Sequence, residues 1–223
     1  MQIRVLTINL YNGRANPDSL AAALEVHQPD VVAAQELSTN SATVLADWGS
    51  SHLLDPRPDM SGMGIAVSGS ATFSRLDFPH RDPIVAVLPA RDWGLERDLQ
   101  IFNAHLVNPV SRPIAQSIRV RAKEVAALEQ IFGMPHDTAS RILVGDLNSS
   151  PAWPLYRRLG NLATDAAVAA GTARRSWGPW PGSPRLLRID HAFVQGPKPL
   201  RTTLLSISGT DHSGLLLDVE AVR

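Results

Sequence analysis

The sequence predicts a mixed α and β domain. Apolar runs of strand character outnumber helical patterns, several helical patterns fall between strands, and the strands repeatedly finish on polar residues. A chain of 223 residues can bury a sizeable core. We see no internal repeat, low-complexity tract or long linker, so a single domain over residues 1–223 is expected.

Ile3, Val5, Thr7 and Asn9 alternate with Arg4, Leu6 and Ile8, which predicts the first strand. Asn16 as a cap and Pro17 in the first turn predict a helix, with Leu20, Ala23, Leu24 and His27 at helical spacing until Pro29. Val31, Val32, Ala33 and Ala34 form a buried-strand pattern that ends at Gln35 and Glu36. Residues 64–67 and 84–88 are two further strands, with Gly, Pro and Ser between them. The Pro-rich stretch 55–62, carrying Met60, reads either as a mobile rim or as an ordinary short surface loop. Residues 99–105 alternate cleanly and end on His105.

The longest helical pattern covers residues 113–132, with Ile114, Ile118, Val125, Leu128 and Phe132 on or near one face and Gly133 and Pro135 as its stop. Ile142, Leu143 and Val144 form a strand closed by Gly145, Asp146, Leu147 and Asn148. Asp146 and Asn148 share one side if the extended conformation persists. Residues 151–159 and 164–170 read as short helices, and 189–194, 202–207 and 215–219 as the last strands. Residues 178–184, rich in Gly and Pro, form a loop.

Composition excludes several classes. Hydrophobic residues at 44% and charged residues at 19% fit a globular protein. The 21 basic and 21 acidic residues cancel, so no global field draws the chain onto nucleic acid. Zero cysteines exclude disulfides, thiolate metal sites and a thiol nucleophile, which fits a cytoplasmic location. The N-terminus runs straight into a strand without a signal-peptide pattern, and no apolar run reaches the roughly 20 residues that span a bilayer.

The polar strand ends are Asn9, Glu36, His105, Asp146 with Asn148, Asp190 with His191, and Asp211 with His212. Strand ends are where open sheets present ligand-binding groups. Hard divalent cations take oxygen ligands, which Glu36, Asp211 and the amide oxygen of Asn9 can supply. Histidines balance charge on a phosphoryl group or transfer protons near neutral pH. No zinc spacing, nucleophile elbow or P-loop is present in the sequence. Each residue also has an ordinary role open to it, as a turn, a cap or a satisfied core group.

Taken together, the segments Thr7-Ile8-Asn9-Leu10, Gln35-Glu36, Asn103-Ala104-His105-Leu106, Gly145-Asp146-Leu147-Asn148, Arg188-Ile189-Asp190-His191 and Thr210-Asp211-His212 resemble the endonuclease/exonuclease/phosphatase superfamily, whose founding members resemble deoxyribonuclease I. The resemblance runs from the first strand to the last. It implies an α+β fold, a four-layer α/β/β/α sandwich of two packed mixed sheets flanked by helices. It implies divalent-metal-dependent phosphoester hydrolysis of phosphodiesterase type, with magnesium as the metal and manganese as a substitute. A DNA or RNA nuclease is the second reading, and a catalytically inactive binding module the third. The resemblance makes Asn9 and Glu36 metal-site residues, with Asp211 completing or flanking the site. Asp146 positions or deprotonates the attacking water, and Asn148 holds the phosphate or that aspartate. His212 contacts the scissile phosphate, oriented by Asp190, and His105 binds the phosphate or assists the leaving group.

This chain departs from the family pattern at three places. Ile8 stands where Trp or Phe is frequent, Tyr11 where some nucleases have an acid, and Thr210 where serine is usual. Tyr11 argues against a second metal site built on that acid. Between Asp165 and Asp190 the chain has Arg174, Arg175, Arg185 and Arg188 and no acidic residue, with Trp177 and Trp180 among them. Arg175, Trp177 and Arg188 are candidate substrate-binding residues on a basic aromatic rim. The alternative is a solvated loop pinned by its tryptophans. A phosphoester is the expected partner, nucleic acid included, and the sequence leaves the oligomeric state open.

Overall fold

The alternation in the first strand sorts its side chains between two different apolar layers. A computed structural model describes residues 1–111, 113–134 and 139–221 of the chain. In β1 (Gln2–Asn9), Ile3 and Val5 enter one buried cluster while Leu6 and Ile8 enter another. The chain continues through α1 (Pro17–His27), β2 (Val31–Gln35), α2 (Thr39–Trp48), β3 (Ser51–Asp55), β4 (Met63–Val67), β5 (Thr72–Arg75) and β6 (Ile84–Leu88). Next come α3 (Ala90–Trp93), β7 (Asp98–Asn103), α4 (Ile114–Gly133), β8 (Ala139–Asp146), α5 (Pro154–Gly160), β9 (Thr164–Asp165) and α6 (Ala166–Ala169). Strands β10 (Asp190–Gln195), β11 (Lys198–Leu205) and β12 (Gly214–Glu220) finish it.

Two six-stranded sheets result, in the orders β11-β12-β1-β2-β4-β3 and β5-β6-β7-β8-β10-β9. Ile3, Val5, Val31, Ala33 and Ile65 of the first sheet meet Ile84, Ala86, Ile101, Ile142 and Val144 of the second in the central layer. Leu20 and Leu24 of α1 and Leu45 of α2 cover the outer face of the first sheet. Val125, Leu128 and Phe132 of α4, with Leu155 and Leu159 of α5, cover the second. This is the four-layer α/β/β/α sandwich. No helix among the described residues is long and apolar enough to cross a membrane.

Each sheet contains one parallel pair, β1 with β2 and β7 with β8. A parallel pair brings two strand ends to the same edge, and the antiparallel neighbours β12 and β10 begin there. Asn9 therefore sits opposite Gln35, and Asp190 opposite Asp146.

Near this edge the central layer turns polar. Gln35 Nε2 donates to Asn103 Oδ1 at 2.6 Å and to Thr7 Oγ1 at 3.0 Å. Asn103 Nδ2 donates across to the carbonyls of Ala34 and Gly64, both at 2.9 Å. These fully buried groups tie the two sheets together where the apolar packing ends.

The structure differs from the sequence expectation in several elements. Helix α2 is unexpected, because Thr39, Asn40, Ser41 and Thr43 carry weak helix propensity; Ser38 caps it. Residues 164–170 split into a short strand and one helical turn. The buried face of α4 is not the one expected: Ile114 and Ile118 are exposed, whereas Ser117, Arg121 and Glu124 are buried. Arg121 donates to the Val107 carbonyl and, at 2.7 Å, to Ser149 Oγ, while the Val107 N–H donates to both Glu124 oxygens at 3.2 Å. That polar bracket holds the loops after β7 and β8, and it outweighs the apolar stripe. Pro135, the expected helix stop, lies outside the described residues.

Candidate active site

Three unusual backbone conformations deliver the side chains to the sheet edge. Glu36 follows the inward-facing Gln35 and in a regular strand would point the other way. It instead adopts a left-handed conformation, with φ of 53°. Asn148 is left-handed as well, with φ of 46°, so the strand ends at Asp146 and the extended geometry expected through Asn148 does not persist. The Asn148 N–H then folds back to Asp146 Oδ1 at 2.8 Å, and its side-chain amide donates to the Leu106 carbonyl at 3.0 Å. Gly145 has φ of 138°, and a Cβ there would lie 1.9 Å from the Ala104 carbonyl oxygen. Only glycine lets the two strand ends approach this closely.

Asn9 Nδ2 donates to Glu36 Oε1 and to Asp146 Oδ2, each at 3.1 Å, and so spans the two sheets. Its Oδ1 accepts from the Tyr11 N–H at 2.9 Å, which turns the amide nitrogen, not the oxygen, toward the carboxylates. The Asn12 N–H holds Glu36 Oε2 at 2.7 Å. Burial pushes Glu36 up from its ordinary range against these hydrogen bonds. Burial raises Asp146 as well, to about 7, with His212 drawing it down and Asp190 pushing it up.

His212 Nδ1 lies 2.9 and 3.1 Å from the two oxygens of Asp190. Its Nε2 faces the cleft, 3.8 Å from Asp146 Oδ2 and 3.9 Å from Asp211 Oδ1. Burial disfavours the charged ring, but Asp190, then Asp146 and Asp211, raise its pKa to about 9. Thr210 Oγ1 donates to the Asn9 carbonyl and accepts from the His212 N–H, so the hydroxyl at this position fastens the first strand to the last turn. His105 Nε2 stands 3.7 Å from Asp146 Oδ2 and 3.9 Å from Glu36 Oε1. Burial, reinforced by Arg81 and His212, holds its pKa well below 6.5 and favours the neutral ring. His191, next to Asp190 in sequence, turns away toward the Ser149 carbonyl at 2.7 Å and packs on Tyr156.

Two donor sets can take a cation. Atoms of Asp146, Asp190 and His212 lie within 4.8 Å of one another. Asp190, however, is committed to the His212 ring, and a hard cation prefers oxygen to imidazole. Glu36 and Asp211, which line the same cavity, offer carboxylate oxygens instead. Asp211 Oδ1 is buried and has no hydrogen-bond partner among the described residues, while its Oδ2 accepts from Trp177 Nε1 at 3.0 Å. A buried carboxylate oxygen left in this way fits a metal ligand. The residues present therefore fit a divalent metal.

Glu36, His105, Asp146, Asn148, Asp211 and His212 line one cavity of about 550 Å³, with Met60 and Trp177 at its walls. Asp190 stands behind His212. Arg175 and Arg188 do not join this cavity. They line a neighbouring open groove of about 820 Å³ that meets it at Ser150 and Leu187. The Arg188 guanidinium is taken up by Asp165 at 2.7 Å and Tyr156 Oη at 2.9 Å, a pairing invisible to a count of charges in the loop. Arg185, named in the basic rim but not among the candidate substrate-binding residues, braces the carbonyls of Asp211 and His212. Arg81 also escaped notice, since it lies in a Pro-rich connection without a motif, yet it lines this cavity.

Comparison with known proteins fits this geometry. A humanized D. rerio TDP2 carrying 14 mutations aligns with a TM-score of 0.77 at 20% identity over 99% of both chains. D. rerio TDP2 complexed with single-strand DNA product gives 0.77 at 18% identity, again over 99% of both. A functionally unknown conserved protein from Enterococcus faecalis gives 0.79 at 14% identity, over 98% of this chain and 100% of that one. No curated protein sequence matches the chain. Identities this low speak for the fold alone. The sequence profile of the endonuclease/exonuclease/phosphatase family, however, matches residues 6–212, a span that begins in β1, ends at His212 and takes in every strand end that meets in the cavity; the chain belongs to that family.

Proposed function

We propose that the protein is a divalent-metal-dependent phosphoester hydrolase of phosphodiesterase type. One observation carries this reading: Asp146 and the Asp190-oriented His212 meet across the sheet edge, beside Glu36 and the unpartnered Asp211 Oδ1. Acidic groups alone would repel a phosphate, whereas this set pairs them with a cationic imidazole and a metal-ligating face.

Glu36 and Asp211 would hold magnesium, or manganese in its place, with Asn9 orienting Glu36 and Asp146. The metal, when bound, polarises a phosphoryl oxygen and offsets charge that builds at phosphorus. Asp146 aligns a water and takes its proton as the new O–P bond forms. The ester O–P bond opposite breaks, and the departing oxygen takes a proton from solvent. His212 holds a non-bridging oxygen through Nε2–H, Asn148 fixes the Asp146 carboxylate, and neutral His105 donates a hydrogen bond to the phosphoryl group. The Trp177 face forms one wall for the substrate.

A nuclease is the second reading. The similar D. rerio TDP2 holds a single-strand DNA product, and here the groove with Arg175 and Arg188 opens from the cavity. Among the described residues no side chain takes up Arg175, which would meet a phosphate beyond the scissile one, while Arg188 shapes the groove wall.

The test is turnover of bis(4-nitrophenyl) phosphate, lipid diester, sugar phosphates, RNA and plasmid DNA with magnesium, manganese or chelator. Metal-dependent turnover of the small diester, abolished in Asp146→Ala and His212→Ala with the fold intact, supports the reading. Plasmid nicking that outpaces the small diester moves it to the nuclease. Near-wild-type activity in either variant would falsify the assignment.

A further inference from the structure

The connection between β5 and β6, residues 76–83, is a built turn. The Leu76 N–H donates to the Pro83 carbonyl at 3.0 Å, and the Phe78 N–H to Asp82 Oδ1 at 3.1 Å. The Phe78 ring is buried in the apolar layer beneath α4 and α5. These anchors set Arg81 at the wall of the catalytic cavity, which it shares with Glu36, His105, Asp146 and His212.

The arginines around the site differ in how their donors are used. Arg121 is spent on Val107 and Ser149, Arg185 on Asp211, His212 and Ser213, and Arg188 on Asp165 and Tyr156. Arg81 is different: its Nε and Nη1 are shielded from solvent and have no hydrogen-bond partner among the described residues. It is also the guanidinium among the described residues lining that cavity. Glu36 and Asp146 attract it, and burial nonetheless lowers its pKa. Burying a guanidinium with unmet donors is destabilising, so a fold that anchors one here forgoes stability. An anion in the cavity recovers it. The planar guanidinium presents paired N–H groups that match two oxygens of a phosphoryl group.

We propose that Arg81 is a substrate-binding residue whose guanidinium grips the non-bridging oxygens of the phosphoryl group. This rests on the phosphoester-hydrolase reading of the same cavity. His212 then holds one phosphoryl oxygen and Arg81 shares the charge that builds on the others.

The experiment compares wild type, Arg81→Met and Arg81→Lys. It measures kcat/KM on bis(4-nitrophenyl) phosphate with magnesium, calorimetric binding of inorganic phosphate with magnesium, and melting temperature. For Arg81→Met we expect kcat/KM to fall about 100-fold, the scale of one lost transition-state donor. Phosphate affinity falls at least about tenfold, and the melting temperature stays level or rises. Arg81→Lys restores charge without the fork and recovers only part of the rate. Wild-type kcat/KM and phosphate affinity in Arg81→Met overturn the proposal, as does a loss of rate matched by a lowered melting temperature with phosphate binding intact. A wild-type protein that cleaves no ester sinks the hydrolase reading instead. Phosphate binding that Arg81→Met abolishes in that protein still supports the role of Arg81.

Discussion

His212 gives its Nδ1–H to the two oxygens of Asp190, at 2.9 and 3.1 Å, and this fixes which face of the ring serves the cleft. A carboxylate only accepts, so Nδ1 carries the hydrogen and Nε2 is left for the phosphoryl group. Asp190→Asn keeps the shape but removes the charge that opposes burial of the imidazolium. We expect kcat to fall by about 10²–10⁴ with little change in KM, a range seen when a catalytic histidine loses its orienting carboxylate. His212, titrated by NMR, should drop from about 9 toward or below its ordinary 6.5. An unchanged kcat, or an unchanged His212 titration, would remove Asp190 from the site.

The same pair makes stability depend on pH in the metal-free protein. His212 has a folded pKa of about 9, above its ordinary 6.5. Its contribution is therefore fully present below pH 6.5 and is lost as pH rises through 9. Asp146 is raised too, so its neutral form favours the fold below 3.8, and that contribution fades as pH climbs through 7. Asp165 works in the opposite sense. Its folded pKa is depressed by His191, the Val168 N–H and Arg188 despite burial, so its stabilisation holds above 3.8 and disappears on strong acidification. With chelator present, the melting temperature should decline from pH 5 to 9, and His212→Gln should flatten the part above 6.5. A wild-type melting curve that is flat across pH 6.5–9 counts against the raised His212.

Much of this site was legible because its residues punctuate strands. Asn9, Glu36, His105 and Asp146 each follow an apolar run, and two parallel pairs carry those ends to one edge, where Asp190 begins β10 and His212 precedes β12. What the pattern could not show is where the backbone re-aims a side chain. Glu36 and Asn148 reach the cavity through left-handed conformations that periodicity cannot express. Nor could it show how charges pair across distance. Arg188 looked available in a loop without acids, but Asp165 receives it from 23 positions away. The apolar positions Ile114 and Ile118 read as the buried face of α4, yet tertiary hydrogen bonds donated by Arg121 and accepted by Glu124 settled the rotation of that helix.

The Gln35–Asn103 hydrogen bond of 2.6 Å joins the two sheets just beneath the site. Asn103→Ala leaves Gln35 Nε2 and the carbonyls of Ala34 and Gly64 short of partners in a fully buried place. We expect a loss of about 3 kcal/mol, or about 6–12 °C in melting temperature for a domain of this size. The Gln35→Ala/Asn103→Ala double variant should lose at least about 1 kcal/mol less than the sum of the singles, because both break one network. Additive losses in urea unfolding would mean that the two amides act independently.

Gly145 is the narrowest point in the path from fold to chemistry. Its φ of 138° suits no side-chain-bearing residue, and a Cβ would stand 1.9 Å from the Ala104 oxygen. That clash cannot be relieved by a rotamer, since the obstacle is backbone. It also lies between the two elements that must stay in register: Ala104 N–H bonds to the Val144 carbonyl, and Leu106 N–H to that of Asp146, both at 3.0 Å. Gly145→Ala must push the His105 loop away from Asp146 or twist β8 out of its pairing with Asp190. Backbone strain of this kind costs about 3 kcal/mol or more, and a displacement of about 1 Å between catalytic groups can cost 10²-fold in rate. We therefore expect a lowered melting temperature together with a kcat loss that persists at low temperature, where the variant is fully folded. Full activity of folded Gly145→Ala would show that the close approach of these two strand ends is not what holds Asp146 and His105 in place.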